Sequence, residues 1–191
     1  LEPGGQVPVE FNGQHRQVLV LAQDVVQHRL GAQQSNPQAA GRERRVEADL
    51  RQMREHYEDA RIVGARSGDP DQYYPASNCL AADVALNAGK GRWRALDREM
   101  HRRVRQSLDA KSGSDADFWS VVGNIELSQY QALAKRRLAS EHRRLDKEYQ
   151  DLRKRVTATR MWASVYDTAC LVLPSYVARA TGKEKRAAND L

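Results

Sequence analysis

The sequence predicts an all-α chain of about seven antiparallel helices that stack as a helical-repeat solenoid. Apolar residues recur with helical spacing along most of the chain, and no segment shows the sustained alternation of a half-buried strand. Two kinds of helix also alternate with a period of about 42–45 residues, in the range of helical solenoids. Apolar, small-residue helices begin near Tyr74, Asp117 and Thr159, and longer, charged helices begin near Arg42, Gly91 and Arg137.

The N-terminal segment is predicted to precede the repeats. Residues 1–13 contain several prolines and glycines, which predict an irregular lead-in. Residues 14–30 carry apolar residues at helical spacing. Residues 31–41 are polar, contain Pro37 and are interpreted as a linker. Residues 1–41 therefore form a lead-in segment with one helix and a linker.

The helix predicted at residues 74–88 is the one around which the chain is organised. Pro75 occupies a first-turn position, where its missing N–H is not needed. Gly89 can adopt the left-handed conformation that ends a helix. Because the helix is rich in alanine, neighbouring helices can approach it closely, and we interpret it as an inner helix. The helix before it is predicted at residues 42–65, with Val46, Leu50 and Met53 on its apolar face.

Four further helices are predicted at residues 91–110, 117–135, 137–156 and from residue 159 onward. Asp117 is placed to cap the second of them, and Pro174 should kink or end the last.

The repeat domain then covers residues 42–182, and residues 183–191 are a polar tail or the start of a further helix. Because a single hairpin cannot bury its own apolar face, the hairpins must stack. The inner helices would line a concave surface and the charged helices its convex back.

Composition excludes several function classes. The 191 residues carry a net charge of +6, 40% hydrophobic and 29% charged residues, as expected for long helices with one solvated face. No apolar run approaches the roughly 20 residues of a membrane span, and no signal peptide is recognisable. Cys79 and Cys170 lie in apolar helical runs and are expected to be free thiols. The chain does not begin with methionine, and we expect it to be a fragment whose effector domain lies elsewhere.

The sequence contains no recognisable catalytic or metal-binding motif. None of the five histidines is paired at metal-ligand spacing. Neither a glycine-rich phosphate loop nor a nucleophile elbow is present. We therefore expect no enzyme activity, no metal and no cofactor. The arginine clusters at residues 42–45, 101–103 and 135–137 are interpreted as solvated outer faces rather than as a nucleic-acid surface, because acidic residues are interleaved with most of them.

Polar and aromatic residues on the inner helices are the candidate ligand-binding groups. Trp119, Glu126 and Tyr130 share one helix face, and Gly123 leaves a gap in that face. Asn78 lies on the preceding inner helix. The alternative interpretation is a repeat core in which the aromatic rings pack and the polar groups form hydrogen bonds between helices.

The last predicted helix repeats this pattern. Trp162 and Tyr166 share a face, and Arg160 lies at the start of the helix. Placed side by side, the two faces would form a pocket with aromatic walls, a carboxylate and an arginine. Such a pocket suits a base and a ribose, with the arginine on a phosphate.

Two of the predicted inner helices resemble one family over about residues 73–133. The run Tyr-Pro-Ala-Ser-Asn from Tyr74 to Asn78 resembles the tyrosine-proline-x-x-asparagine segment of the TPR-like TRAF-binding domain of the animal apoptosis signal-regulating MAP kinase kinase kinases and its bacterial relatives. The Asp-Phe-Trp run that begins at Asp117, with Glu126 seven residues after its tryptophan, resembles that family's next inner helix.

The resemblance implies a regulatory module. In the kinases the region binds adaptor proteins, and the bacterial relatives resemble sensors proposed to recognise nucleotide-derived ligands. We therefore predict a non-catalytic, TPR-like sensor or interaction module of a bacterial, cytoplasmic signalling or defence protein. The alternatives are a purely structural protein–protein scaffold and, less favoured, a nucleic-acid binder. The candidate ligand-binding residues are Tyr74, Asn78, Trp119, Glu126, Tyr130, Arg160, Trp162 and Tyr166.

Overall fold

The computed structural model describes residues 37–67, 73–114 and 116–191. These residues form seven α-helices and no β-strand, which confirms the all-α prediction. The helices are α1 Pro37–Ser67, α2 Tyr73–Asn87, α3 Arg98–Ser114, α4 Phe118–Lys135, α5 Leu138–Arg155, α6 Thr159–Arg179 and α7 Gly182–Asp190. The helix predicted at residues 14–30 lies outside the described residues. None of the described helices is long and apolar enough to cross a membrane.

Helix α2 is the centre of the bundle. It packs against α1, α3, α4 and α6, and its Leu80, Ala82, Val84 and Ala85 have no exposed surface. The small alanine side chains let four neighbours approach the same helix. This segment is therefore the central, buried helix of the described residues, whereas its place as an inner helix of a repeat stack stays a prediction.

Helix α1 packs on one side of α2 through the predicted apolar face. Val46, Leu50 and Met53 are buried and form a separate apolar cluster with residues of α2. Between these helices Arg54 Nε donates a hydrogen bond of 2.7 Å to Asp83 Oδ1. The helix begins at Pro37, inside the predicted linker, because proline is well tolerated at a first helical position.

Helices α3, α4 and α5 follow in sequence, each packed against the one before it. Asp117 caps α4 as predicted, with its Oδ1 accepting a hydrogen bond of 2.7 Å from Ser120 N. The gap predicted at Gly123 is filled by a neighbouring helix, since a Cβ atom there would lie 3.0 Å from Leu108 Cδ2. Gly123 therefore serves the close packing of α3 on α4.

The prediction of a helix from Gly91 was wrong by about two turns, because α3 begins at Arg98. Gly91 has a positive φ of 39°, which does not fit an α-helix. A turn closed by hydrogen bonds from Lys90 N to Asn87 O and from Trp93 N to Lys90 O occupies this region instead.

Helix α6 packs against α2 and α7, and α7 also packs against α5. Pro174 does not end α6, which continues to Arg179. Next to the proline, Val172 and Tyr176 are buried, and their packing offsets the lost backbone hydrogen bond. The described residues thus form an all-α bundle with sequential packing from α1 to α5, whereas regular repeat stacking stays a prediction.

Helix α7 is fastened by one carboxylate. Glu184 accepts hydrogen bonds from the backbone nitrogens of Leu138 and Ala139, at 2.9 and 3.1 Å. It also accepts one of 2.6 Å from the Tyr176 hydroxyl. Glu184 therefore caps the amino end of α5 and joins it to α6 and α7.

Candidate functional site

A cavity of about 700 Å³ lies between α5 and α6. This volume is in the range of small-molecule sites in proteins. Its aromatic and polar lining residues are Gln129, Asp146, Tyr149, Gln150, Arg153, Thr157, Thr159, Trp162 and Tyr166. The remaining lining is largely apolar and comes from α6, the turn before it and Leu191.

The aromatic wall of the cavity belongs to α6 and is held on one side. Trp162 Nε1 donates a hydrogen bond of 2.7 Å to Val156 O, at the end of α5. The Phe118 ring meets the Trp162 ring edge-on, with the centroids 5.4 Å apart. One turn further along α6, Tyr166 is 68% exposed. Trp162 is thus a fixed surface for a flat ligand, and Tyr166 presents its ring to solvent at the same wall.

The charged groups of the cavity lie on α5. Arg153 is exposed and makes no ion pair or hydrogen bond with any residue of the described ranges. Asp146 Oδ2 accepts a hydrogen bond of 2.9 Å from Gln150 Nε2. A guanidinium without a partner can bind a phosphate through two parallel hydrogen bonds. The carboxylate and the carboxamide supply acceptors and donors for hydroxyl groups.

The cavity wall formed by α4 and α5 contains a buried hydrogen bond between the two helices. The Tyr149 hydroxyl donates to Gln129 Oε1 at 2.7 Å, and Gln129 is only 3% exposed. Burial, and then the charge of Glu126, raises the pKa of Tyr149 well above its usual value. Tyr149 therefore faces the cavity and also lies in the electrostatic field of Glu126.

Glu126 is partly buried, and its carboxyl accepts no hydrogen bond from the described residues. Burial alone raises the pKa of this carboxyl to about 8. Its charge also contributes to the raised pKa values of Tyr130 and Tyr74, for which burial is the main cause. At neutral pH the carboxyl is therefore mostly protonated and can donate a hydrogen bond.

The predicted site residues fall into two groups. Trp162 and Tyr166 line the cavity. Tyr74, Asn78, Glu126 and Tyr130 lie on α2 and α4, and none of them lines it. Within α2, Asn78 Nδ2 donates a hydrogen bond of 2.9 Å to Tyr74 O.

Two other predicted residues lie apart from the cavity lining. Trp119 is 40% exposed and contacts Phe118 edge-on at 5.0 Å between centroids. Arg160 is exposed. The single pocket that was predicted is thus divided, because α6 packs against α2 and α7.

Sequence reasoning missed Asp146, Tyr149 and Arg153, which lie on a helix assigned to the convex back. A signal for them exists, since the three positions are spaced i, i+3 and i+7 and so share one helix face. That face combines an aromatic ring with both charges at the edge of the apolar stripe.

The described residues hold no other candidate for reactive chemistry. No group of three or more potential metal ligands occurs among them. Both cysteines are free, as predicted, although Cys170 is only partly buried. Burial raises the pKa of the Cys79 thiol to about 12, which removes its nucleophilic form at neutral pH.

Comparisons with protein-family models, with curated proteins and with solved structures find no match to this chain.

Proposed function

We propose that this chain is a non-catalytic binding module that accepts a nucleotide-type ligand in the cavity between α5 and α6. The observation that carries the proposal is the fixed ring of Trp162 in the same cavity as the unpaired guanidinium of Arg153. A base would stack on the indole, and a phosphate would bind Arg153. Asp146 and Gln150 would bind ribose hydroxyl groups.

A sensor role in a bacterial, cytoplasmic signalling or defence protein belongs to the same proposal. Its support is the resemblance of the α2 and α4 segments to the TPR-like regulatory region of the apoptosis signal-regulating kinases and its bacterial relatives. In that role the helices form a repeat solenoid, and ligand binding acts on a domain or protein partner outside the residues given.

A thermal-shift series with nucleotides tests the proposal. The ligands are ADP-ribose, ADP, ATP and cyclic AMP, each added to the wild-type chain and to two arginine variants. A ligand at about 100 times its dissociation constant adds roughly 2.7 kcal/mol of stability, which raises the melting temperature by several degrees. We expect Arg153→Ala to remove most of this shift.

Arg155→Ala is the matched control, because Arg155 is exposed on the same helix and does not line the cavity. It should leave the shift unchanged. Arg160→Ala separates the structural site from the one expected from sequence, since Arg160 also lies outside the lining. If Arg160→Ala removes the thermal shift and Arg153→Ala keeps it, the ligand does not bind in this cavity. If no nucleotide shifts the melting temperature, the ligand is not a nucleotide.

A protein-binding scaffold is the second candidate. Val63, Trp119 and Tyr166 are 64%, 40% and 68% exposed, and exposed apolar side chains mark interaction surfaces when they form a patch. Binding of a partner protein that is weakened by Trp119→Ala or Tyr166→Ala, in a chain stabilised by no nucleotide, would favour this function.

A further inference from the structure

Three turns of the chain meet at one end of the bundle. Arg136, between α4 and α5, donates hydrogen bonds of 2.8 and 3.1 Å from Nη2 to Gly89 O and Gly91 O, after α2. Arg179, at the end of α6, donates one of 3.1 Å from Nη1 to Ala88 O. Glu184 of α7 is bonded to the amino end of α5. The carboxyl ends of α2, α4 and α6 therefore lie beside the amino ends of α5 and α7.

These turns bring together cations that are far apart in the sequence. Seven of them are exposed and form no ion pair with a carboxylate in the described ranges. They define the basic end of the molecule and are Arg92, Arg94, Lys135, Arg137, Lys183, Lys185 and Arg186.

The carboxylates near the basic end are already engaged. Glu184 is used by α5 and Tyr176. Glu47 is paired with Lys90, and Asp97 Oδ1 accepts a hydrogen bond of 2.7 Å from Met100 N. Hydrogen bonds from neutral donors leave Glu184 and Asp97 negatively charged, but the seven exposed cations outnumber these carboxylates, so the basic end keeps a net positive charge.

The helix faces away from the basic end are different. On α3, Arg102 and Arg103 are both paired with Glu99. On α5, Lys147 and Lys154 are both paired with Asp151. The cations on these faces are thus held in ion pairs. Exposed cations without an ion pair also occur elsewhere, as at Arg153 and Arg160, but the basic end brings seven of them together at three joined turns.

We propose that the basic end binds the phosphate backbone of a double-stranded nucleic acid without reading its sequence. Lysine and arginine that neutralise phosphates release the counterions condensed on the duplex, and this release drives binding. Lysine and arginine are both present among the seven exposed cations of the basic end.

Two other polyanions fit the basic end less well. Peripheral membrane binding combines basic residues with an inserted apolar or lipid anchor, and single-stranded nucleic acid is held by stacking on exposed aromatic rings. The large hydrophobic side chains exposed in the described ranges are Val63, Trp119 and Tyr166. None of these belongs to the three turns. Trp93, between Arg92 and Arg94, is half-buried and packs against the apolar core, so the surface offers charge without an inserted apolar anchor.

Fluorescence anisotropy with labelled duplexes tests the proposal. The probes are a DNA duplex and an RNA duplex of one mixed sequence, about 20 base pairs long, in about 50 to 200 mM NaCl. The basic-end variant combines Lys135→Gln, Arg137→Gln, Lys183→Gln and Lys185→Gln. The control variant combines Arg102→Gln, Arg103→Gln, Lys147→Gln and Lys154→Gln, so that both variants lose four positive charges.

We expect the wild-type chain to bind at least one duplex, with an affinity that falls steeply as salt rises. The basic-end variant should lose at least about tenfold in affinity, and its slope of log affinity against log salt should decrease by about 3. The control variant should change affinity by less than about threefold. The cavity variant Arg153→Ala should bind the duplex as wild type does, whatever the nucleotide series shows.

Several outcomes would overturn the proposal. One is the absence of duplex binding at the lowest salt concentration. Another is an equal loss of duplex affinity in the basic-end and control variants, which would mean that net charge alone causes the binding. Binding to phosphatidylserine vesicles but to neither duplex would assign the surface to a membrane instead. All substituted residues are exposed, and far-ultraviolet circular dichroism checks that the variants fold. If the basic-end variant does not fold, a triple variant of Arg92→Gln, Arg94→Gln and Arg186→Gln replaces it, with the same expected loss.

Discussion

Glu184 and Glu126 are both partly buried glutamates at helix contacts, but their surroundings are opposite. The Glu184 carboxylate accepts three hydrogen bonds, two from the backbone of α5 and one from Tyr176. The Glu126 carboxyl accepts none from the described residues, and its charge contributes to the raised pKa values of three tyrosines. The Glu184 carboxylate therefore has hydrogen-bond donors around it, whereas the Glu126 carboxyl has none among the described residues.

The two groups therefore have opposite effects on stability: Glu184 stabilises the folded state, and an ionised Glu126 destabilises it. A buried carboxylate with several donors stabilises the folded state, whereas one without donors is destabilising when ionised. Natural folds keep such groups mainly where they serve a function. The charge of Glu126 contributes to the raised pKa of Tyr149, which lines the cavity. We therefore expect the destabilisation by the buried Glu126 carboxylate to be linked to the binding site.

The largest effect is expected from removing the satisfied carboxylate. Glu184→Ala leaves two backbone N–H groups and the Tyr176 hydroxyl without their acceptor. Unpaired buried donors cost about 1–3 kcal/mol each, with partial recovery by water. We expect the free energy of unfolding to fall by about 3 kcal/mol, measured by urea denaturation.

Glu141→Ala is the control for this prediction. Glu141 also lies in the first turn of α5, but its partner is Arg144, in an ion pair at the surface. Its removal should cost less than about 0.5 kcal/mol. If the two substitutions cost the same, Glu184 does not hold the α5–α7 junction together.

A smaller, pH-dependent effect of opposite sign is expected at Glu126. Its folded-state pKa of about 8 lies above the ordinary glutamate pKa of about 4.5, so between these pH values the folded state binds more protons than the unfolded state. Stability is then complete below about pH 4.5 and is lost as pH rises through 8, by up to about 1.4 kcal/mol per pH unit. Because the side chain keeps some contact with water, we expect a total loss of about 2 kcal/mol.

Glu126→Gln should therefore stabilise the chain at pH 8 and have almost no effect at pH 4.5. The measurement is thermal unfolding of both proteins at the two pH values and at one value between them. An amide has nearly the same shape and does not titrate, so the wild-type chain is its own control for packing. A difference in melting temperature that stays constant with pH would show that the Glu126 carboxyl does not titrate as described.

The contrast between the two glutamates also shows which structural features can be predicted from the sequence. Local signals located α2, because Pro75 and Gly89 mark its ends, and they identified Asp117 as a cap. The role of Glu184 has no local signature, since two of its three partners lie 45 or more residues away in the sequence and the third, Tyr176, lies eight residues away on another helix.

The candidate site could be predicted only in part from the sequence, for the same reason. Helical periodicity finds the apolar face of each helix, and it placed Trp162 and Tyr166 on one face. It does not say which helix lies opposite. The arginine and the carboxylate that line the cavity are Arg153 and Asp146, whereas Arg160 and Glu126 were expected there beside Trp162 and Tyr166.

The smallest effect is expected at the hydrogen bond between Tyr149 and Gln129 in the cavity wall. Tyr149→Phe removes the donor to Gln129 Oε1 and leaves a buried carboxamide oxygen unpaired, at a cost of about 1 kcal/mol. Burial alone raises the pKa of Glu126, so removal of the Tyr149 hydroxyl should leave the pH dependence unchanged, with the same loss at pH 4.5 and at pH 8. Thermal unfolding of Tyr149→Phe, alone and together with Glu126→Gln, measures this. The two effects should add at each pH, and a destabilisation by Tyr149→Phe that grows with pH and disappears in the double variant would show instead that the hydroxyl stabilises the ionised Glu126 carboxyl.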